Sequence, residues 1–477
     1  MPRTRKARTV TRQPKGARPA RARTSRVQAA KDPSIANLKK IDHIVVLLME
    51  NRSFDHLLGY LTLEGGRTDV QGLTSGMANR HAGKRYPIHH LGTKKFTKAQ
   101  DPPHGGKAVA QQLSNGNAGF VDSFAAERPQ GGDPGIVMGY YNGADLPVYD
   151  QLAREFCVCD HWFCSVPGST WPNRLYAVTG QAAGRKDNKK PPIYDLPSFV
   201  RHLDRVKRSW RWYTHEEFAT LRITDGDYFV GNFGNFAYFD RRSFLQPKNF
   251  LDHAASGDLA AVSWIDPNFI DFNFLGPSGS NDDHPPSDIA DGQELVLKLY
   301  HAVATSPAWR KTLLVITYDE HGGFFDHVPP PAAQDDRPAF RTYGPRVPAL
   351  IVSPWVERGS VSTTVFDHTS IIKTILLRFC HRPGGSIPDM GARVTHANHL
   401  GGLLSLSTPR PAPAVATFQH LIDRAARRRS EVFRSRLMAP VTGEAPEPSM
   451  DDLNDLQEGI VAARKRLRAA GLPEGQP

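Results

Sequence analysis

Two short, uninterrupted apolar runs constrain the fold of this chain more than any other feature: residues 44–48 (Ile-Val-Val-Leu-Leu) and 313–316 (Leu-Leu-Val-Ile). A strand with one face in water alternates apolar and polar residues. One that is apolar throughout has both faces covered, the pattern of parallel strands in an α/β sheet. Each run gives way to a dense polar cluster, Met49-Glu-Asn-Arg-Ser-Phe-Asp-His56 after the first and Thr317-Tyr-Asp-Glu-His-Gly-Gly-Phe-Phe-Asp-His327 after the second. Ligands of open α/β sheets collect outside the carboxyl ends of the strands, so parallel pairing of the two runs brings Glu50, Asn51, Asp319 and Glu320 to one edge. Adjacent strand residues point to opposite faces, and both members of each pair can serve only where strand gives way to loop. Three carboxylates and an amide oxygen suit Ca²⁺, Mg²⁺ or Mn²⁺, and the nearby imidazoles admit zinc. A solvated acidic loop is the plainer reading of either cluster alone.

The alternation continues along the chain. Further strands are expected at 259–265 and 347–352, and helices at 53–61, 147–156, 289–305 and 369–379. Such an order predicts a predominantly parallel sheet with helices on both sides. Residues 64–135, rich in Gly, His and Lys, and residues 186–258 read as large insertions. The second carries Trp210, Trp212, Tyr213, Tyr228, Phe229, Phe233 and Phe236, expected as core packing rather than as a cage for a choline group. After a Pro- and Ala-containing stretch, helices are expected at 414–433 and 450–470. In the second of these, Ser449 would be the N-cap, with acids in the first turn and arginines near the end.

Charge divides the chain sharply. The net charge is +12, yet 13 of the 60 basic residues and one of the 48 acidic ones lie within residues 1–40, leaving 47 of each elsewhere. The high pI therefore describes a tail. Its Arg-, Pro- and Ala-rich composition buries too little apolar surface to offset ordering entropy, so disorder is expected over 1–40. A basic arm suits an acidic surface, but without interleaved aromatics it gives no support for base stacking. The tail lacks the apolar core expected of a secretory signal, and no run is long enough to be expected to span a membrane. The expectation is a cytoplasmic protein, or one exported by a route the N-terminus does not reveal. The four cysteines lack paired zinc spacing and read as small buried thiols.

A third segment, Val166-Pro-Gly-Ser-Thr-Trp-Pro-Asn-Arg174, precedes a helical pattern. Thr170 at a helix N-terminus would place a hydroxyl where orphan N–H groups hold phosphate. A hydroxyl becomes a good nucleophile only when a base or metal favours its alkoxide. Alone, Ser169 or Thr170 is simply an N-cap. Together, Glu50-Asn-Arg-Ser-Phe-Asp55, Gly168-Ser-Thr-Trp-Pro-Asn-Arg174 and Asp319-Glu-His-Gly-Gly-Phe-Phe-Asp-His327 resemble the bacterial phosphoesterase family of phospholipases C and related acid phosphatases. Asp101-Pro-Pro-His104, Asp283-His-Pro-Pro286 and Phe366-Asp-His368 support the resemblance, which spans residues 41–380.

That resemblance implies an alkaline-phosphatase-like α/β/α sandwich; the chain's own patterning sets the expected catalytic domain at residues 41–440, followed at 441–477 by a linker and C-terminal helix. It also implies a metal held by Glu50, Asn51, Asp319 and Glu320 with the Thr170 hydroxyl, and a phosphate site lined by His104 and His284. Asp326, His327 and Arg174 stand as secondary candidates. Family phosphatases commonly have serine where this chain has Thr170, which favours the phospholipase branch. The expected function is metal-dependent phospholipid hydrolysis. The alternatives are an acid phosphatase acting on monoesters, or a phosphate- or lipid-binding protein with little turnover.

Overall fold

A computed structural model describes residues 32–215, 219–226, 228, 231–243, 247–270, 280–381, 386–437 and 453–470. The described residues from Ser34 onward belong to one compact unit. Its centre is an eight-stranded sheet of β1 (His43–Met49), β2 (Cys157–Cys159), β3 (Trp210–Thr214), β4 (Phe236–Tyr238), β5 (Val262–Ile265), β6 (Thr312–Tyr318), β7 (Ala349–Val352) and β8 (Val361–Ser362). The spatial order is β8-β2-β7-β6-β1-β5-β3-β4. Only β7 runs against its neighbours, so the predominantly parallel sheet holds. An apolar run carries no mark of strand direction, which is why that exception was not legible.

The central pair positions the site. β1 and β6 are parallel neighbours with Leu48 opposite Thr317 and Met49 opposite Tyr318. The two polar clusters therefore leave the sheet side by side. Every residue from Ile44 to Met49 and from Thr312 to Tyr318 is buried, as both faces of a covered sheet require. The helices that matter to the site and to the packing of the sheet are α1 (Phe54–Leu58), α2 (Pro147–Glu155), α3 (Thr170–Thr179), α4 (Ile289–Ala304), α5 (Thr369–Phe379), α6 (Val415–Leu437) and α7 (Asp455–Ala469). Helices α2, α4 and α6 pack together, and α3 packs on α5. No described helix is long and apolar enough to cross a membrane, and all four cysteines are buried and free.

Three expectations need correction. The stretch 186–258 is not merely an insertion, because it supplies β3 and β4 to the sheet. Of its aromatics, Trp210, Trp212, Tyr213 and Phe236 are buried in the core, Tyr228 and Phe233 are partly buried against it, Phe229 lies outside the described residues, and Trp212 stacks on Trp264 with ring centroids 5.0 Å apart. The basic tail does not extend unstructured to Lys40, since Pro33–Lys40 form a 3₁₀ helix. Leu38 is buried there, and Lys40 Nζ donates to Leu404 O at 2.7 Å. Finally, the C-terminal helix begins at Asp455 with Asn454 as its cap and Gln457 completing a capping box. Ser449 and the disorder expected of residues 1–31 lie outside the described residues.

Candidate active site

Glu50 and Asn51 follow β1 directly. Asn51 sits at φ 55°, a left-handed conformation that asparagine accepts more readily than most residues. Its N–H donates to Asp319 Oδ1 at 3.1 Å, and the Glu320 N–H donates to the same oxygen at 2.7 Å. Glu320 is steadied in turn, its Oε2 accepting the Gly322 N–H at 2.8 Å. The Gly322-Gly323 pair is what lets these segments meet. Both have positive φ; a Cβ on Gly322 would lie 2.1 Å from Asn51 O, and one on Gly323 would lie 2.6 Å from Pro103 O.

Thr170 is the first residue of α3, and Ser169 occupies the cap without a side-chain cap bond. The turn before it needs Gly168, whose Cβ would fall 2.0 Å from Lys186 O. The Thr170 hydroxyl oxygen lies 3.3 Å from both Glu50 Oε2 and Asn51 Oδ1, and it can donate to only one at a time. One turn along the helix, Arg174 donates from Nε to Glu50 Oε1 at 2.6 Å and from Nη2 to Leu48 O at 2.8 Å. Its Nε also lies 3.6 Å from Asp319 Oδ2.

A pattern emerges in the acidic oxygens. Each of Asp319 and Glu320 has one oxygen tied by backbone N–H groups and the other, Asp319 Oδ2 or Glu320 Oε1, buried without a hydrogen-bond partner. Buried polar atoms are normally satisfied. With Glu50 Oε2, Asn51 Oδ1 and Thr170 Oγ1, these atoms form a hard-oxygen set of the kind a divalent cation takes. Burial pushes the Asp319 carboxyl up to about 6, with Arg174 pulling the other way, and holds Glu50 well above the ordinary carboxylate range against the same arginine. Arg174 offsets only part of that burial.

Beside this set stand two histidines. Asn51 Nδ2 lies 3.4 Å from His104 Nε2 and 3.2 Å from His284 Nε2. The His104 Nδ1–H donates to Pro102 O at 2.8 Å, so Nε2 is the nitrogen it turns toward the site. Asp101 Oδ1 lies 3.5 Å from His284 Nε2, and Asp101, His104 and His284 bring ligand atoms within 4.8 Å of one another. Burial alone would make both imidazoles harder to protonate. The charges of Glu320 and Asp455 outweigh it at His104, and that of Asp101 at His284, so both are raised. Two imidazoles whose protonation these carboxylates favour suit an anionic phosphoryl group.

The secondary candidates separate. Arg174 is in contact with the acidic set, as above. Asp326 and His327 are not: they form a buried knot with Asp55 and Arg346, in which Arg346 Nε donates to Asp326 Oδ1 at 2.9 Å and His327 Nδ1 lies 2.6 Å from Asp55 Oδ2. This knot ties α1 to the loop after β6 rather than touching the oxygen set. His321 is closer to the chemistry, with Nδ1 3.1 Å from Glu320 Oε2 and Nε2 2.8 Å from Gln112 Oε1. Three contributors were missed. Asp282 accepts the Glu50 N–H through its carbonyl at 2.9 Å and the His284 N–H through Oδ1 at 3.1 Å. His368 Nε2–H donates to Asp319 O at 2.6 Å. Both lie in or next to motif fragments already noted. Asp455, 3.4 Å from His104 Nε2, had no local signal at all.

Comparison with known proteins gives this arrangement a lineage. The Phosphoesterase family model matches residues 41–380. Non-specific phospholipase C6 of Arabidopsis thaliana is 33% identical over 363 residues, covering 70% of this chain and 67% of that protein. Phospholipase C B of Mycobacterium tuberculosis is 30% identical over 443 residues, covering 81% of this chain and 82% of its own length. Among solved structures, a protein of the alkaline phosphatase superfamily from Vibrio parahaemolyticus aligns with a TM-score of 0.32 and 10% identity, over 63% of this chain and 83% of the other. The family match takes in both strand edges, the start of α3 and every residue of the oxygen and histidine sets; the chain belongs to the phosphoesterase family and is a phosphoric ester hydrolase.

Proposed function

We propose that the chain is a phospholipase C-like enzyme that cleaves phospholipid to diacylglycerol and a phosphorylated headgroup through a phosphothreonine at Thr170. The observation that carries this reading is the Thr170 hydroxyl, set at a helix N-terminus 3.3 Å from Glu50 Oε2 and Asn51 Oδ1. The phospholipase C names of its relatives support the substrate class.

A divalent cation (Ca²⁺, Mg²⁺, Mn²⁺ or Zn²⁺) held by Glu50, Asn51, Asp319, Glu320 and Thr170 would supply the charge that favours the alkoxide and neutralises a phosphoryl oxygen. Thr170 Oγ1 bonds to phosphorus as the bond from phosphorus to the glycerol oxygen breaks. The hydroxyl proton passes to solvent water. The departing alkoxide takes a proton from the His104 or His284 imidazolium, which also balances charge building on phosphorus. Water then attacks the phosphothreonine and returns its proton to the imidazole, while Thr170 recovers one from solvent water.

The test is turnover of phosphatidylcholine and of a simple phosphomonoester in the presence of added divalent metal, with wild type and Thr170→Ala. Diacylglycerol release by wild type, and a loss of at least about a thousandfold in the variant, are expected. Turnover of the monoester alone would move the protein to the phosphatase branch. Unchanged activity in T170A would end the nucleophile assignment.

A further inference from the structure

We propose that helix α7 is an inhibitory plug, its Asp455 carboxylate occupying the phosphate position at His104, and that an anionic bilayer withdraws it. The inference rests on the phosphate-site reading above.

Because the His104 Nδ1–H is committed to Pro102 O, any anion bound by this residue must meet Nε2. Asp455 Oδ1 already stands there at 3.4 Å, while Oδ2 accepts the Asn188 amide at 2.6 Å. Asn188 Oδ1 in turn accepts the Trp171 N–H at 2.9 Å, at the second residue of the nucleophile's helix. A carboxylate with its two oxygens shared between a histidine and an amide presents what two oxygens of a phosphate would. The two anions cannot share the site, so phosphate entry requires Asp455 to leave. Its side chain is 35% exposed, which puts it at the mouth of the site rather than in its floor.

The seat of the helix is specific to this site. Asn454 Nδ2 donates to Pro285 O at 3.3 Å, next to His284, and Gln457 Nε2 donates to Phe269 O at 2.8 Å. Leu456 and Ile460 are buried with Trp171, Ile223, Phe269 and Ile270, a cluster separate from the main core. Glu458 pairs with Lys190 and Lys98 at the rim. The far half of the helix has a different character, carrying Arg464, Lys465, Arg466 and Arg468, of which Lys465, Arg466 and Arg468 are exposed. A helix with one apolar face and a cationic end is the form that lies on anionic lipid surfaces. The face that seats α7 in the protein is the face it would bury in lipid.

The test uses the full chain. Orthophosphate binding is measured by calorimetry on wild type, Asp455→Asn, which keeps size while removing charge, and Ile460→Asp, which loosens the seat. Turnover of a soluble short-chain phosphatidylcholine is followed in parallel. Both variants are expected to bind orthophosphate at least about tenfold more tightly and to turn over the soluble substrate faster. Equal or weaker orthophosphate binding by D455N and I460D overturns the plug. If wild type and both variants all fail to bind orthophosphate, the phosphate-site reading itself is wrong. In the lipid arm, adding phosphatidylglycerol to phosphatidylcholine vesicles is expected to stimulate wild type, and K465Q/R466Q to lose that stimulation. Equal stimulation of both proteins overturns the role of the bilayer.

Discussion

Replacing Arg174 by methionine is the sharpest test of how the acidic edge is held. The guanidinium is 1% exposed and faces two fully buried carboxylates, Glu50 Oε1 at 2.6 Å and Asp319 Oδ2 at 3.6 Å. At an effective dielectric of about 20, one unit-charge pair at the longer distance is worth roughly 4–5 kcal/mol. Removing one partner of a buried ion pair typically costs about 3–5 kcal/mol, because the other charge is left uncompensated. Arg174→Met is therefore expected to lose about 3–5 kcal/mol in chelator, a large share of an ordinary domain stability of about 5–15 kcal/mol. Divalent metal should then act as a substitute. In wild type, a hundredfold excess over the dissociation constant adds about 2.7 kcal/mol to stability. The variant should gain more, since the cation neutralises the carboxylates that Arg174 no longer faces. Denaturant midpoints with chelator and with metal, for both proteins, measure the two increments. An unchanged midpoint in chelator, or a metal increment in R174M no larger than in wild type, would refute the reasoning.

Two further predictions address neighbouring parts. Gly322→Ala places a methyl at a φ of 65° and 2.1 Å from Asn51 O; it should cost about 1–3 kcal/mol of strain and weaken metal binding by moving Asn51, and a wild-type affinity in a metal titration would show that this close approach does not set the site. Asp283 is buried, with Oδ2 accepting the Tyr318 hydroxyl at 2.5 Å, and burial pushes its carboxyl up to about 8. Between about pH 4 and about pH 8 the folded protein thus holds a proton the unfolded chain has lost, so this group's contribution to stability falls as pH rises. Asp283→Asn should flatten that slope in unfolding midpoints measured across the window, and parallel slopes for the two proteins would exclude it.

Much of the site was legible because local chemistry and local geometry coincide in it. The runs at 44–48 and 313–316 are apolar throughout because both sheet faces are covered, and the polar residues begin where the strands end. Glu50, Asn51, Asp319 and Glu320 were therefore nameable before any pairing was known. Thr170 was nameable for a similar reason, since a Gly-Ser-Thr turn ahead of a helical pattern marks an N-terminus. Asp326 and His327 were harder: a carboxylate beside an imidazole reads alike at a metal or in an ion pair, and the Arg346 that pairs with Asp326 arrives from elsewhere in the chain. Strands β3 and β4 were hidden because their aromatic residues fit core, insertion or pocket equally well until the edge of the sheet claims them.

The sequence by itself determined the sheet class, the edge from which the acidic residues emerge and the residue types that gather there, because these follow from patterning along a single segment. Only the tertiary structure decided which oxygens are left unpaired, that Arg174 rather than a histidine compensates Glu50, and that Asp455 reaches His104 across 351 positions of sequence. Those outcomes depend on distances between segments that local propensity does not encode, and burial then turns such distances into the charge balance of the site.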